Sequence, residues 1–352
     1  MEVLPAFNDR LWNSLSNERV RKGYEHLSQS AIEVLDQYGI LTFEELLSLV
    51  HLNDKQLALI LWRLLEEKKI SKSPDGNGYQ LPNSPQPTHN DQFGLNPRER
   101  KILSPTLHHW LEESWQRDRK LKEAFEKFVT LAEDRPGENS NYQQRHLTFR
   151  SSFLRALYML ARGDIANKRV VLIGDDDLTS LALQLLAPSV KLLVLEIDRD
   201  ILHFLEMRGE SLPGQCTYQI MDVSTSWNTS LNGSFSTVLC DPSKELYDLF
   251  LQRVGELLNP VRGVFYTCFD QTYSRDRTDQ EFLSQIVARG FYITDVIPRF
   301  VNYHRYRSSL SSEFETIIPH PRPGKDSICF QESLVRAELM QEIPNTPTPL
   351  PS

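Results

Sequence analysis

Apolar residues recur along this chain in two rhythms. Between Leu27 and Leu81 they return every three or four positions in three stretches: "SQSAIEVLDQYG", closing on Gly39, then "TFEELLSLVHL", then "NDKQLALILWRLLEEKKI". That spacing predicts three amphipathic helices, the second opened by Thr42 with an acid two residues on. "SPDGNGY" follows with turn residues between two short strands near Ile70 and Tyr79. Three helices and a wing predict a winged-helix domain over residues 1–82.

"PNSPQPTHNDQFGLNP" carries four prolines and no periodic apolar positions, which reads as a linker near residues 82–97. From Pro97 to Glu133 the pattern is helical and heavily charged, so residues 83–150 are expected to be linker and connecting helices. The rhythm changes from about Gly163. "KRVVLIG", "VKLLVLEID", "CTYQIMDV", "FSTVLCDP", "GVFYTCF" and "FYITDVI" are short apolar runs separated by helical stretches, the pattern of a largely parallel sheet covered on both faces. The fold class expected is therefore α/β: a Rossmann-like domain of the S-adenosylmethionine-dependent methyltransferase type over residues 151–335, preceded by the N-terminal winged helix. The proline-rich end, residues 336–352, is expected to be a disordered tail.

Composition narrows the partners. In 352 residues there are 39 Lys and Arg against 47 Asp and Glu, a formal charge of -8, which disfavours nucleic acid as the main ligand and favours a cation. Outward positions expected on the third helix, Asp54, Gln56, Glu66 and Glu67, would repel DNA phosphates, so no specific nucleic-acid site is expected. The four cysteines form no C-x-x-C pair, which suggests neither a zinc site nor a disulfide framework. No secretory leader and no apolar run of the ~18 residues a membrane span needs are seen, and a cytoplasmic protein is expected. Self-association into a homodimer is left open.

Carboxylates fall at the ends of successive strands: Asp175, Asp176 and Asp177, then Glu196 and Asp198, then Asp222, then Asp241. In a doubly wound sheet these ends surround the ligand at the switch point. Glu196 or Asp198 is placed for ribose hydroxyls, Asp222 for an adenine amino group and Asp241 for the reactive end. The "IGDDDL" loop stands out, because nucleotide folds usually put glycines there to bring backbone amides to an anion. Asp177 is expected near the N-cap of the following helix, yet three adjacent acids exceed what one cap requires. A structural turn, a metal site and a cation site are the readings. The metal is disfavoured because no His or Cys accompanies the acids and no calcium-loop spacing follows, so none is expected.

Three stretches carry a family resemblance: "RVVLIGDDDLTSLAL" with "LEIDRDILHFL", "RPGENSNYQQRHLTFRSSFLRA", and "GFYITDVIPRFVNYHRY". With the winged helix and Rossmann-like order, the chain resembles the branched-chain polyamine synthases, the bis(aminopropyl)spermidine synthase family. The resemblance implies transfer of the aminopropyl group of decarboxylated S-adenosylmethionine, the co-substrate, to an amine of a polyamine such as spermidine. It implies catalytic roles for Asp177 and Asp241. Cofactor binding falls to Gly174, Asp175, Asp176, Leu178 and Thr179 in the first loop, and to Glu196, Asp198, Asp222 and Val223. Polyamine binding falls to Tyr142, Gln144, Asp295 and Tyr303. The chain departs from the family at "DPSKE", where Ser243 and Lys244 replace a Pro-containing acidic turn, at Gln143, where an acid is expected, and at Arg150, likewise. A methyltransferase and a non-catalytic polyamine or nucleoside sensor are the alternatives on the same fold.

Overall fold

The computed structural model describes residues 28–36, 39–50, 52, 54–82, 115, 117–225, 229–261, 263–270, 278–304 and 328–339. The expected linker, 83–97, lies outside the described residues. Helix α1 covers residues 28–36 and ends at Gly39, whose N–H reaches the Leu35 carbonyl (2.8 Å) at φ 78°. A helix stop in that conformation favours glycine. Strand β1 (Leu41–Thr42), α2 (Phe43–Leu49), α3 (Asp54–Glu66), β2 (Ser71–Lys72) and β3 (Gly78–Gln80) follow. Thr42 opens α2 with a reciprocal cap: its hydroxyl accepts from the Glu45 N–H, and the Glu45 carboxylate accepts from the Thr42 N–H (2.9 Å). The three strands form an antiparallel sheet in the order β1-β3-β2, over a core that includes Leu35, Phe43, Leu46, Leu57 and Trp62. Asp54, expected to face outward, is 5% exposed. It opens α3, where a carboxylate is stabilised by the helix N-terminus and the first turn is packed inward.

Two connecting helices precede the sheet. α4 (Arg119–Ala132) is capped by Asp118 and α5 (Phe149–Ala161) by Thr148, whose hydroxyl accepts from the Ser151 N–H. Then come β4 (Arg169–Ile173), α6 (Thr179–Leu186), β5 (Lys191–Glu196), α7 (Arg199–Gly209), β6 (Gln215–Ile220), β7 (Thr237–Cys240), α8 (Tyr247–Leu257), β8 (Val264–Asp270), α9 (Thr278–Ala288), β9 (Phe291–His304) and β10 (Ile328–Leu339). The seven strands are ordered β6-β5-β4-β7-β8-β10-β9. β4 through β8 are parallel, so the chain reverses its direction of growth between β4 and β7. Along β4, Val170 and Leu172 join a core with α4 to α7, while Val171 and Ile173 join the opposite core with α8 and α9. Burial on both sides explains why β4 and β5 read as unbroken apolar runs.

The C-terminal edge departs from expectation. β10 enters antiparallel between β8 and β9, and it runs through the segment expected to begin a disordered tail. Arg336 is 4% exposed, and its guanidinium donates twice to Asp164 (2.8 and 3.2 Å). The Tyr266 hydroxyl donates to the same carboxylate. A buried charge with that many partners stays ordered. No helix among the described residues is long and apolar enough to cross a membrane.

Candidate active site

A cleft of about 390 Å³ opens at the C-terminal ends of β4, β5, β6 and β7, where the strand order reverses. Its floor starts at Gly174. With φ 78° and open space where a Cβ would stand, this position is held to glycine by backbone conformation, not by crowding. The next three acids diverge. Asp175 turns inward, 2% exposed, and accepts from the N–H groups of Thr179 (2.7 Å) and Ser180 (3.1 Å), so it is Asp175 and not Asp177 that caps α6. Burial pushes its carboxyl up to about 7, against those hydrogen bonds. Asp176 faces the cleft, and no hydrogen bond or ion pair reaches its carboxylate among the described residues. Burial first, then the charges of Asp177 and Glu196, raise its pKa well above the usual range. Asp177 lines the cleft with both oxygens engaged, one by the Leu147 N–H (2.7 Å) and one by Arg155 (2.8 Å).

Arg155 is the principal residue that sequence reasoning missed. It projects from α5, 2% exposed, and its fork reaches Asp177, Asp241 (3.2 Å), the Thr179 hydroxyl (2.6 Å) and the Cys268 sulfur (3.8 Å). A signal existed: in "FRSSFLRALYMLA" it stands between apolar residues with no acid three or four positions away. Glu332 was missed as well. It lines the cleft from β10, a strand that pattern reading assigned in part to the tail. Asp241, the residue after β7, is pushed up to about 6 by burial, with Arg155 pulling it down and Asp177 pushing it up. Asp241, Cys268 and Glu332 bring potential ligand atoms within 4.8 Å of one another, and Arg155 supplies positive charge to two of the three.

At the β5 end, Glu196 accepts from the N–H groups of Asp175, Ile197 and Asp198 (2.8–2.9 Å) and lines the cleft, its pKa raised by burial against those bonds. Asp198 stands behind it. One oxygen caps α7 through the Asp200 N–H (2.9 Å), and the other accepts from Gln144 (3.0 Å). Asp222 and Val223 line the far wall, and Ser224 hydrogen bonds hold the Asp222 carboxyl below its ordinary range. Ile197, Met221, Leu246 and Phe250 supply apolar surface beside them. Tyr142, at the end of a short helical turn at Ser140–Tyr142, and Gln144 just after it line the cleft as well, as does Tyr303.

Besides Asp175, four more expected contacts are not in the lining. Leu178 adopts φ 58° and turns its side chain into the core, and the Thr179 hydroxyl accepts from Arg155 while its N–H donates to Asp175. Asp198 is occupied as described, and Asp295 lies on β9 beside Arg162 (3.4 Å) and Arg336 (4.0 Å). The new cations also point elsewhere. Lys244 is exposed outside the lining, and the Arg150 guanidinium lies 5.7 Å over the Trp115 ring. Gln143 itself lines the cleft, as does one guanidinium, Arg145.

A doubly wound domain whose switch-point cleft is rich in carboxylates is a nucleoside-type binding fold adapted to cationic ligands. The chain belongs to the branched-chain polyamine synthase family: the model of the branched-chain polyamine synthase A C-terminal domain matches residues 123–350. It is 24% identical over 315 residues to N(4)-bis(aminopropyl)spermidine synthase of Methanocaldococcus jannaschii, covering 86% of each chain. It is 28% identical over 188 residues to the synthase of that name from Thermococcus kodakarensis, covering 52% of this chain and 53% of that one. Among solved structures, the branched-chain polyamine synthase of Thermus thermophilus, crystallised with N4-aminopropylspermidine and 5′-methylthioadenosine, superposes with a TM-score of 0.61 at 20% identity, covering 88% of this chain and 86% of that one.

Proposed function

We propose that this protein is an aminopropyltransferase that moves the aminopropyl group of decarboxylated S-adenosylmethionine to a polyamine such as spermidine, giving a branched product. The observation that carries the reading is the charge of the cleft: among the described residues, six carboxylates, Asp176, Asp177, Glu196, Asp222, Asp241 and Glu332, line it with one guanidinium, Arg145. Family membership and the names of its relatives support the same activity. Residues 1–82 act as a winged-helix packing module, residues 83–150 connect, and the catalytic domain extends through Leu339.

In the reaction the acceptor nitrogen attacks the carbon attached to the sulfonium. A C–N bond forms, the C–S bond breaks, and its electron pair leaves on the sulfur of methylthioadenosine. An alkylammonium of pKa about 10 must first lose a proton, which costs roughly 4 kcal/mol at neutral pH, and a cleft carboxylate that takes the proton offsets much of it. Asp241 is the acceptor's base. Glu196 takes the ribose, Asp222 and Val223 border the adenine beside Met221, and Tyr142 and Gln144 close the lip. Asp177 and Arg155 hold the reacting end rigid, and Asp175 holds the loop. Asp176 takes the ammonium of the co-substrate. At an effective dielectric near 20, a unit charge ~5 Å away contributes about 3 kcal/mol, so the same carboxylates that attract this ammonium penalise the carboxylate of intact S-adenosylmethionine.

Calorimetric titration of three ligands tests the assignment. Asp176→Asn is expected to weaken decarboxylated S-adenosylmethionine by about 10-fold or more and to leave methylthioadenosine, which lacks the ammonium, within about 2-fold. Equal losses for both ligands would show that Asp176 shapes the loop and does not read charge. Tighter binding of S-adenosylmethionine than of its decarboxylated form by the parent protein would favour methyl transfer instead.

A further inference from the structure

The loop after β6 brings Met221, Asp222, Val223 and Ser224 to the cleft, and it closes on itself. The Asp222 carboxylate turns back through Oδ1 to accept from the Ser224 N–H (2.8 Å) and the Ser224 hydroxyl (2.6 Å). The Asp222 carbonyl accepts from the Thr225 N–H (3.1 Å) and the Thr225 hydroxyl (2.8 Å). These bonds all fall within four residues, so they fix the shape of the turn. They cannot fix where the turn stands against the rest of the cleft.

That task falls to α8. Leu249, Phe250 and Arg253 follow one another at helical spacings of three and four, which puts them on one face. Leu249 and Phe250 line the cleft, and Arg253, one turn on, stands outside the lining and reaches the loop. Its Nε donates to the Val223 carbonyl (3.0 Å), its Nη2 to the Thr225 carbonyl (3.0 Å) and its Nη1 to Glu256 (2.8 Å). One edge of a rigid plane thus holds two carbonyls of the loop, while a carboxylate of the same helix holds the far corner. The Arg253 side chain is 13% exposed, so solvent is poorly placed to take over these bonds.

We propose that Arg253 is a positioning residue for the nucleoside half of the co-substrate: it sets the spacing of the slot between the loop after β6 and the Leu249 and Phe250 face of α8, and through it the place of Asp222 against the base. The proposal rests on the nucleoside placement given above. Two consequences separate it from support of the fold alone. Decarboxylated S-adenosylmethionine and methylthioadenosine share the nucleoside, so a displaced slot weakens both by the same factor, unlike the loss of Asp176, which weakens only the former. Nucleoside contacts are also the same in the bound substrate and in the transition state, so the co-substrate KM rises while kcat holds.

The test is Arg253→Lys in the full chain, which keeps the charge but cannot hold two carbonyls along one planar edge. Calorimetric titration is expected to show methylthioadenosine and decarboxylated S-adenosylmethionine each weakened about 10-fold, the scale of one charge-assisted hydrogen bond. The preference for methylthioadenosine over methylthioinosine, which carries a carbonyl in place of the amino group, is expected to narrow. In initial-rate kinetics the co-substrate KM is expected to rise by the same factor, with kcat and the spermidine KM within about 2-fold of the parent. Glu256→Gln, which loosens the far corner of the guanidinium, is expected to give a smaller loss of the same pattern, and it decides alone should Arg253→Lys fail to fold. A folded Arg253→Lys protein that binds methylthioadenosine as the parent does, or that loses kcat at an unchanged co-substrate KM, overturns the proposal. A parent protein that binds no methylthioadenosine removes the nucleoside placement and the proposal with it. The transfer reading fails separately: a parent that binds methylthioadenosine but makes no branched product from decarboxylated S-adenosylmethionine and spermidine, by mass spectrometry, leaves the slot standing and removes the aminopropyl assignment.

Discussion

Arg155 fixes the reacting end of the cleft by holding two carboxylates that would otherwise repel. Its ion pairs with Asp177 and Asp241 are buried on the arginine side to 3% exposure, and Asp177 is equally enclosed. Breaking such a pair from one side leaves unmatched charge in a dry site, which costs about 3–5 kcal/mol. Arg155→Met is therefore expected to lower the unfolding free energy by that amount, read as a lower denaturant midpoint with an unchanged slope. A loss under 1 kcal/mol would mean that water reaches the acids. The raised carboxyls make a second expectation at this scale. Asp241 rises from 3.8 to about 6 and Asp175 to about 7. The folded protein thus binds more protons than the unfolded chain between roughly pH 4 and 7, and its stability falls as pH rises through that window. Thermal unfolding of the ligand-free protein is expected to shift down from pH 5 to pH 8, and spermidine with methylthioadenosine to flatten the trend. A rising profile over the same range would contradict the burial of these acids.

At the scale of elements, the turn from β4 into α6 divides three identical residues among three tasks. Asp175 belongs to the helix, Asp176 to the cleft and Asp177 to the contact with the Leu147 N–H and Arg155. Left-handed backbone at Gly174 opens this turn and at Leu178 closes it into α6. Asp175→Ala removes the acceptor for two N–H groups and is expected to destabilise by about 1–2 kcal/mol. Methylthioadenosine binding by the folded fraction is expected to persist, which separates a cap from a ligand contact. Calorimetry combined with thermal unfolding checks both. The C-terminal pair of strands does similar work, since β9 brings Tyr303 and β10 brings Glu332 to a cleft otherwise built from parallel strand ends.

For the molecule as a whole, charge and architecture agree on the kind of ligand received. The chain is acidic overall at -8, and Glu66 at the end of the third helix of the N-terminal module and Glu67 just beyond it are exposed. The full chain is expected to show no nanomolar, salt-dependent binding to any selected DNA duplex, by fluorescence anisotropy across a salt series. A nanomolar duplex would overturn the packing role given to that module.

The sequence by itself determined the α/β class, the alternation of elements from β4 to β8, the first helices and the short strands after them, and the acids at the strand ends. These are legible because they are local: a period of 3.6 or an unbroken apolar run reports burial within one segment, and in a parallel sheet the end of each strand faces the same cleft whatever its neighbours are. Tertiary structure alone decided the rest. Which of Asp175, Asp176 and Asp177 faces the cleft depends on how the turn after β4 is folded, and one residue of offset exchanges a cap for a contact. Arg155 gains its meaning from Asp177 and Asp241, 22 and 86 positions away, and Tyr303 from Glu332 on a neighbouring strand. Arg336, read as tail, is ordered by Asp164, 172 positions earlier. Periodicity carries no information about such pairings, because the charge that stabilises each buried group is supplied by a different part of the chain and arrives only when the sheet has closed.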